Sequence, residues 1–421
     1  MFLLRRARAD VKNDLLIKDA RLFHPDCDLI VDLHIEDGVI RAIGTGLRHA
    51  KLPLLCADGR TLLPAFVDLH THFRDPGYPH KEDITTGSRA AAGGGYTAVS
   101  VMANTDPVCD HPEVAEYMHR RAEEAGLVEV YPVGAISRGL LGEKLSDMEG
   151  LAPYVWAYSD DGIGVEDDAL MLRACQKAAS LDRVVIPHCE YADIADKGLA
   201  ERLMVARDLL LARHTGCRLH VAHVSTAETV EMIVQAREGG RGLTCEVTPH
   251  HLCLDRAEAD YTVNPPIADR STRDSLVQSL AEGRIDVIAT DHAPHTAADK
   301  ERGAPGISGI ETAFPLLYTR LVKTGLLPLA DLVRYMSTHP ARIMGLNKGE
   351  LRVGDDGDVV LIEEDGAFTV NEGTFLSMGS NSPLIGMPLQ GKIWATVHKG
   401  ELIYIDGKVK GRDFDDHRQA V

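Results

Sequence analysis

The sequence predicts a (β/α)8 barrel carrying a small β-sandwich module assembled from both chain ends. Three observations predict it. Between about residues 64 and 350, short apolar runs alternate with segments of helical period. Both ends of the chain show short alternating strands with tight turns. The histidines and aspartates suited to chemistry fall where the apolar runs stop. At 421 residues the chain accommodates one barrel of ordinary size plus an added module.

Taken in order, L-L-I-K-D-A-R-L-F and D-L-H-I-E-D-G-V-I-R-A-I-G alternate apolar and polar residues and break at Asp37-Gly38, a hairpin signal. From about Leu351 onward, G-D-V-V-L-I-E-E-D-G and K-I-W-A-T-V-H-K-G-E-L-I-Y-I-D-G-K-V have the same texture. Neither end is large enough for a core of its own, so residues 1–63 and 351–421 are expected to meet as one composite module around a barrel at 64–350. Candidate barrel strands are 65–70, 96–102, 128–134, 154–159, 183–187, 218–223, 243–248 and 285–290. Helices are expected between them at Glu113–Glu124, Asp168–Ala179, Ala227–Arg237 and Thr272–Ala281.

A formal net charge of -18 argues against nucleic acid or an anionic membrane as partner, since either calls for a basic face. An anionic small substrate would need a local basic pocket. The eight cysteines lack C-x-x-C spacing, the first residues lack the apolar core of a signal peptide, and no window reaches the apolar length of a membrane span. These features fit a reduced cytoplasm.

The chain is organised around P-A-F-V-D-L-H-T-H-F-R-D-P-G, Pro64 to Gly77. Residues two apart on a strand share a face, so His70 and His72 converge, with Arg74 beside them. Two neutral imidazoles next to a cation suit a transition metal that receives an anionic substrate. Alone, H-x-H is a weak signal. Its weight comes from position: His188 ends R-V-V-I-P-H, His223 ends R-L-H-V-A-H, Asp291 follows V-I-A-T, and Asp160-Asp161 follow Y-V-W-A-Y-S. Five strands thus deliver nitrogen and oxygen donors to one rim, where a barrel keeps its functional groups.

D-L-H-T-H-F-R-D-P-G, S-D-D-G, H-C-E, H-V-S-T, V-N-P-P and T-D-H-A-P-H, with M-S-T-H-P-A-R-I-M-G-L and N-S-P-L-I-G-M-P-L-Q-G further on, resemble the type I dihydroorotases of the metal-dependent amidohydrolase superfamily. The resemblance runs from about residue 14 to 410. It implies reversible cyclisation of N-carbamoyl-L-aspartate to L-dihydroorotate plus water, a step of de novo pyrimidine (UMP) synthesis. It further implies one zinc on His70, His72 and Asp291, a second zinc on His188 and His223, and a bridging carboxylate from Asp160 or Asp161. Strand alternation lets only one of that pair face the metals, and the family spacing favours Asp161; the other would be solvated or would orient a ligand histidine. Asp291 would also move the proton from the attacking water to the leaving ring nitrogen. For the substrate, Arg74 would grip the ring carboxylate, joined by Asn104, Asn264, His295 and the loop residues Pro305 and Gly306. The superfamily implies a homodimer.

Two other readings stand beside this one: a hydantoinase or allantoinase, which would usually carry a lysine bridge, and a metal-free relative that scaffolds aspartate transcarbamoylase, which would lack ligands. Bland readings also hold at several positions. Asn104 and Asn264 could cap loops. His220 and His250-His251 read as core or supporting groups, and His80, His214 and His339 as surface or capping groups. Gly93-Gly94-Gly95 lacks the Lys-Ser/Thr of a phosphate loop and reads as a helix end. Glu166-Asp167-Asp168 reads as a helix start, and Asp355-Asp356-Gly357-Asp358 as a turn. The connector Glu190–Thr215 and the loop after His295 are shorter than is usual in the family, which could alter closure over the substrate.

Overall fold

Strands of a parallel sheet are buried on both faces and so read as near-continuous apolar runs. In the computed structural model, which describes residues 13–23, 29–49, 51–237 and 242–411, each of the eight expected runs forms a strand. The chain begins with β1 (Leu15–Leu22), β2 (Leu29–Glu36), β3 (Val39–Gly44), β4 (Leu54–Cys56) and β5 (Thr61–Pro64). The barrel strands are β6 (Phe66–Thr71), β7 (Tyr96–Val101), β8 (Glu129–Pro132), β9 (Ala157–Tyr158), β10 (Val184–Val185), β11 (Arg218–Val221), β12 (Leu243–Val247) and β13 (Val287–Ile288). The chain ends with β14 (Val359–Glu363), β15 (Phe368–Thr369), β16 (Pro388–Leu389), β17 (Lys392–His398), β18 (Glu401–Ile405) and β19 (Lys408–Val409).

Strands β6, β7 and β8 pair in parallel, as do β9 through β13. Two isolated parallel bridges, Gly134 with Tyr158 and Thr71 with His292, join these arcs into a closed ring. Asp68 reinforces the second seam. Its buried carboxylate accepts the His70 N–H at 3.1 Å, the Thr290 N–H at 3.0 Å and the Thr290 hydroxyl at 2.6 Å. The barrel is filled by Val67, Leu69, Ala98, Met102, Val184, Ile186, Val287 and Ala289.

Helices fall between the strands near the expected positions, as at Pro112–Ala125, Asp168–Ser180, Ala227–Arg237 and Arg270–Ala281. Asp167 caps the second of these by accepting the Leu170 N–H at 2.6 Å, so the acidic run does start a helix. The stretch read as a connector is in fact the 19-residue helix Lys197–Thr215. Its pattern is mixed. Glu201 and Asp208 are buried beside Ala200, Met204, Val205, Leu209 and Ala212 while Leu199, Leu203 and Leu210 are exposed, so apolar residues lie on both faces and no clean stripe announces it.

Strands β1–β5, β14 and β17–β19 from both chain ends form one nine-stranded sheet, ordered β19-β18-β17-β14-β5-β1-β2-β3 with β4 on β1, while β15 and β16 pair with each other. Val39 bridges to Asp356 and the Ile40 N–H reaches the Asp355 carbonyl, drawing the far edge back toward β14. The bent sheet encloses Leu33, Ile35, Ile40, Val359, Leu361, Ala395 and Val397. Among the described residues no helix is long and apolar enough to cross a membrane, and seven cysteines are free thiols. Cys27 and the first residues of the chain lie outside the described residues.

Barrel and sheet meet over a buried ion cluster. Lys348 contacts Asp358 and lies 2.7 Å from Glu129, and Asp358 accepts from His398 Nδ1 at 3.2 Å. Burial alone would raise the Asp358 carboxyl, but Lys348 outweighs that and holds it well below 3.8. The stabilisation this carboxylate confers is therefore present above the ordinary carboxylate range and lost as acid protonates it. Removing one member strands a buried charge. Lys348→Ala should lower the unfolding free energy by about 3–5 kcal/mol in denaturant titrations at pH 7, whereas a loss below about 1 kcal/mol would show the cluster to be unimportant.

Candidate metal centre

Each barrel strand ends at the same rim, and the chain must turn sharply there to enter its loop. Three residues at these exits, Arg74, His223 and Asp291, take left-handed backbone angles with φ of 58°, 30° and 49°. Non-glycine residues seldom adopt that region, and where they do the strain is often tied to a site.

His70, His72, Asp161, His188, His223 and Asp291 are all buried and come together inside the rim. One donor atom from each of His70, His72 and Asp161 forms a group within 4.8 Å, and Asp161, His188 and His223 form a second. Asp161 is common to both. Its Oδ1 lies 3.4 Å from His70 Nε2, His188 Nδ1 and His223 Nε2, and its Oδ2 lies 3.4 Å from His72 Nε2. Asp291 Oδ1 is 3.0 Å from His72 Nε2 and 3.6 Å from His70 Nε2.

Three of the imidazoles are held from behind. His70 Nδ1 donates to Glu246 Oε1 at 2.7 Å, His72 Nδ1 donates to Asn104 Oδ1 at 2.9 Å, and His188 Nε2 donates to Glu190 Oε2 at 3.2 Å. Each of these bonds fixes the tautomer and turns the other ring nitrogen toward the carboxylates. A lone pair then faces an anionic oxygen. His70 Nε2 and Asp161 Oδ1 are both buried without a hydrogen bond. Such opposed acceptors are reconciled only by positive charge between them, which is what divalent ions would supply.

The protonation preferences express the same demand. Burial pulls the His70 imidazole down, yet Asp161 and Glu246 outweigh it and leave the group well above 6.5. His188 is pushed up to about 9 by Asp161 and Glu190 against the cost of burial. Asp161, which burial would raise, is held well below 3.8 by His70, His188 and His223. Asp291 is likewise lowered against burial by His72 and His70. The pocket draws protons where a metal would sit.

Asp160 faces away from this cluster. It accepts the N–H groups of Ile136 at 2.7 Å and Ser137 at 3.0 Å, anchoring that loop rather than orienting any of the histidines. Arg74 stands at the mouth, with Nη2 3.3 Å from His295 Nε2 and a buried Nε that has no hydrogen bond. Asn264 donates to Glu190 Oε2 at 2.6 Å and lies 3.3 Å from His188 Nε2. Asn104 is thus bonded to His72, and Asn264 to the Glu190 that holds His188, rather than merely capping loops. The Pro305 carbonyl accepts from His295 Nε2 at 2.9 Å. Both backbone groups of Gly306 are engaged within the protein, its N–H with the Thr262 carbonyl at 3.1 Å and its carbonyl with Lys300 Nζ at 3.0 Å.

Sequence reasoning gives no role to Glu246 or Asp68, and places Glu190 only in H-C-E and at the start of the connector. The signal for the first two is a lone acid inside an apolar strand, as in L-T-C-E-V and F-V-D-L-H. Glu246 also accepts from His220 Nε2 at 3.0 Å, so the histidine read as core or support is a support. His251 accepts from the Thr248 hydroxyl at 2.7 Å and donates to the Pro265 carbonyl at 3.0 Å, steadying the loop that carries Asn264.

A family model described as Dihydro-orotase-like matches residues 59–203. The chain is 39% identical over 395 residues to a dihydroorotase of Clostridium botulinum (strain Eklund 17B / Type B), covering 93% of this chain and 99% of that one. It is 42% identical over 422 residues to a dihydroorotase of Syntrophus aciditrophicus (strain SB), with 93% and 99% covered. Among solved structures it is similar to the L-hydantoinase (dihydropyrimidinase) from Arthrobacter aurescens, at 26% identity and a TM-score of 0.83, covering 94% and 97% of the two chains.

Glu246 tests the geometry without touching the ligand set. Glu246→Gln keeps the shape but removes the charge behind His70 and should weaken metal binding about 10- to 100-fold in chelator competition, with the fold intact by circular dichroism. Unchanged affinity would remove Glu246 from the site.

Proposed function

The chain belongs to the dihydroorotase family, and from that premise we propose that its shared-carboxylate pocket closes N-carbamoyl-L-aspartate to L-dihydroorotate and reopens the ring by hydrolysis. The observation that carries this reading is Arg74. A buried guanidinium donor without a partner, beside a pocket built for cations, calls for an anionic substrate, and dihydroorotate presents a ring carboxylate next to a cyclic amide.

In this reading His70, His72 and Asp291 would hold one divalent ion and His188 and His223 a second, with Asp161 between them; imidazole and carboxylate donors favour zinc. Such ions supply Lewis acidity toward the amide carbonyl and lower the pKa of water toward neutrality. Arg74 grips the ring carboxylate, and His295 stands beside it with its ring proton held by the Pro305 carbonyl. Asn104 and Asn264 steady His72 and His188 and turn their remaining amide hydrogens to the substrate. Asp291, kept ionised by His72 and His70, takes the proton released as water oxygen bonds to the carbonyl carbon. It then gives that proton to the ring nitrogen as the carbon–nitrogen bond breaks. Cyclisation runs the same transfers backwards. Two zinc ions per subunit, a homodimer and a cytoplasmic setting belong to this proposal.

The hydantoinase alternative shares the fold and the cyclic-amide chemistry, but Asp161 stands where its lysine bridge would be. A scaffold for aspartate transcarbamoylase would need none of the six donors retained here.

Elemental analysis combined with a dihydroorotate hydrolysis assay tests the proposal, and a metal-free protein or one inactive with metal bound would sink it. Asp291→Asn should lower the ring-opening rate about 10²- to 10⁴-fold while metal stays at least partly bound; near-normal turnover would make Asp291 structural only. Arg74→Met should raise KM for dihydroorotate about 10- to 100-fold with zinc content unchanged. Parallel loss of zinc and affinity would contradict its role.

A further inference from the structure

The motif N-S-P-L-I-G-M-P-L-Q-G begins at Asn381, between β15 and β16, and the metal pocket makes no use of it. The Asn381 side chain reaches the loop that follows β13. Its Oδ1 accepts the His295 N–H at 2.8 Å and the Ser308 hydroxyl at 2.7 Å, and its Nδ2 donates to the carbonyls of Ala293 at 3.1 Å and Gly306 at 3.0 Å. Two acceptor sites and two donors exhaust what a carboxamide offers. The backbone adds a fifth bond, from the Ser308 N–H to the Asn381 carbonyl at 2.9 Å.

These bonds grasp both limbs of the loop, the outgoing one at 293 and 295 and the returning one at 306 and 308. The limbs already touch: Gly306 has φ +138°, and a Cβ there would fall 2.6 Å from the Ala293 Cβ. Lys300 completes the clasp from the other side, donating to the carbonyls of Thr262 at 2.9 Å, Ala304 at 2.8 Å and Gly306 at 3.0 Å. Gly306 O is therefore shared between Asn381 and Lys300. The His295 ring hangs from this frame, 3.3 Å from Arg74 Nη2.

We propose that Asn381 is a positioning residue for the ring-carboxylate site: by clasping the two limbs of the 293–308 loop it sets His295 against Arg74 before substrate arrives. The loop is thereby preorganised, so binding is spared the ordering of a flexible segment. The kinetic side of this inference rests on the dihydroorotase reading; the structural side does not.

Asn381→Ala removes all four side-chain bonds, while Asn381→Asp keeps the two acceptors at near-constant volume and loses the two donations. With zinc-loaded protein, Asn381→Ala should raise KM for dihydroorotate about tenfold or more and leave kcat within about threefold, and Asn381→Asp, whose carboxylate oxygen would face the Ala293 and Gly306 carbonyls, should be impaired at least as much. Metal content should be unchanged. Hydrogen exchange across 293–308 should speed up about 100-fold in Asn381→Ala, with protection elsewhere preserved. Unchanged KM and exchange in both variants would overturn the proposal. So would metal loss in step with KM, or failure of both variants to fold. If the parent protein does not open dihydroorotate, the dihydroorotase reading fails, and the exchange experiment still decides the clasp.

Discussion

One buried carboxylate, that of Asp161, has to face four imidazoles at once. The imidazoles come from three places along the chain, His70 and His72 from the end of β6 and His188 and His223 from the exits of β10 and β11, and Asp161 Oδ1 alone lies 3.4 Å from three of them. A group so placed is costly to bury unless compensated. The compensation is positive charge, carried by protons on His70 and His188 or by divalent ions in their stead. The closed ring of strands makes this possible. It fixes the spacing of the strand exits, so that short loops need only turn the side chains inward, and the left-handed backbone at His223 and Asp291 is part of that turning.

Rigidity behind the ligands matters as much as the ligands. Glu246, Asn104 and Glu190 hold three of the imidazoles, and Asp68 fastens the strand bearing His70 to the residues before Asp291. The ring is thereby sewn at the seam where two donors from opposite ends of the barrel sequence meet. The nine-stranded sheet packs at the far side through Lys348 and Asp358, while the segment between β15 and β16 returns to the functional rim. The chain end therefore serves two faces of the barrel.

Much of this was legible in the sequence, for physical reasons. Continuous apolar runs such as Y-T-A-V-S-V-M mark strands covered on both sides, and a histidine or aspartate at the end of such a run marks the rim. The choice between Asp160 and Asp161 was only half legible. Alternation says that one faces inward, and the structure turns Asp161 there while Asp160 takes the N–H groups of Ile136 and Ser137. The helix Lys197–Thr215 was hidden because leucines lie on its exposed face and Glu201 and Asp208 among its buried apolar residues, which blurs the usual stripe. The tie between Glu246 and His70 was hidden because it crosses the barrel between residues 176 apart in sequence. No local pattern carries such a pairing.

Anomalous X-ray diffraction from crystals grown with zinc tests the shared carboxylate most directly. The account predicts two peaks flanking Asp161, one within ligand reach of His70 and His72 and the other within reach of His188 and His223. No peak, or zinc bound without Asp161, would contradict it.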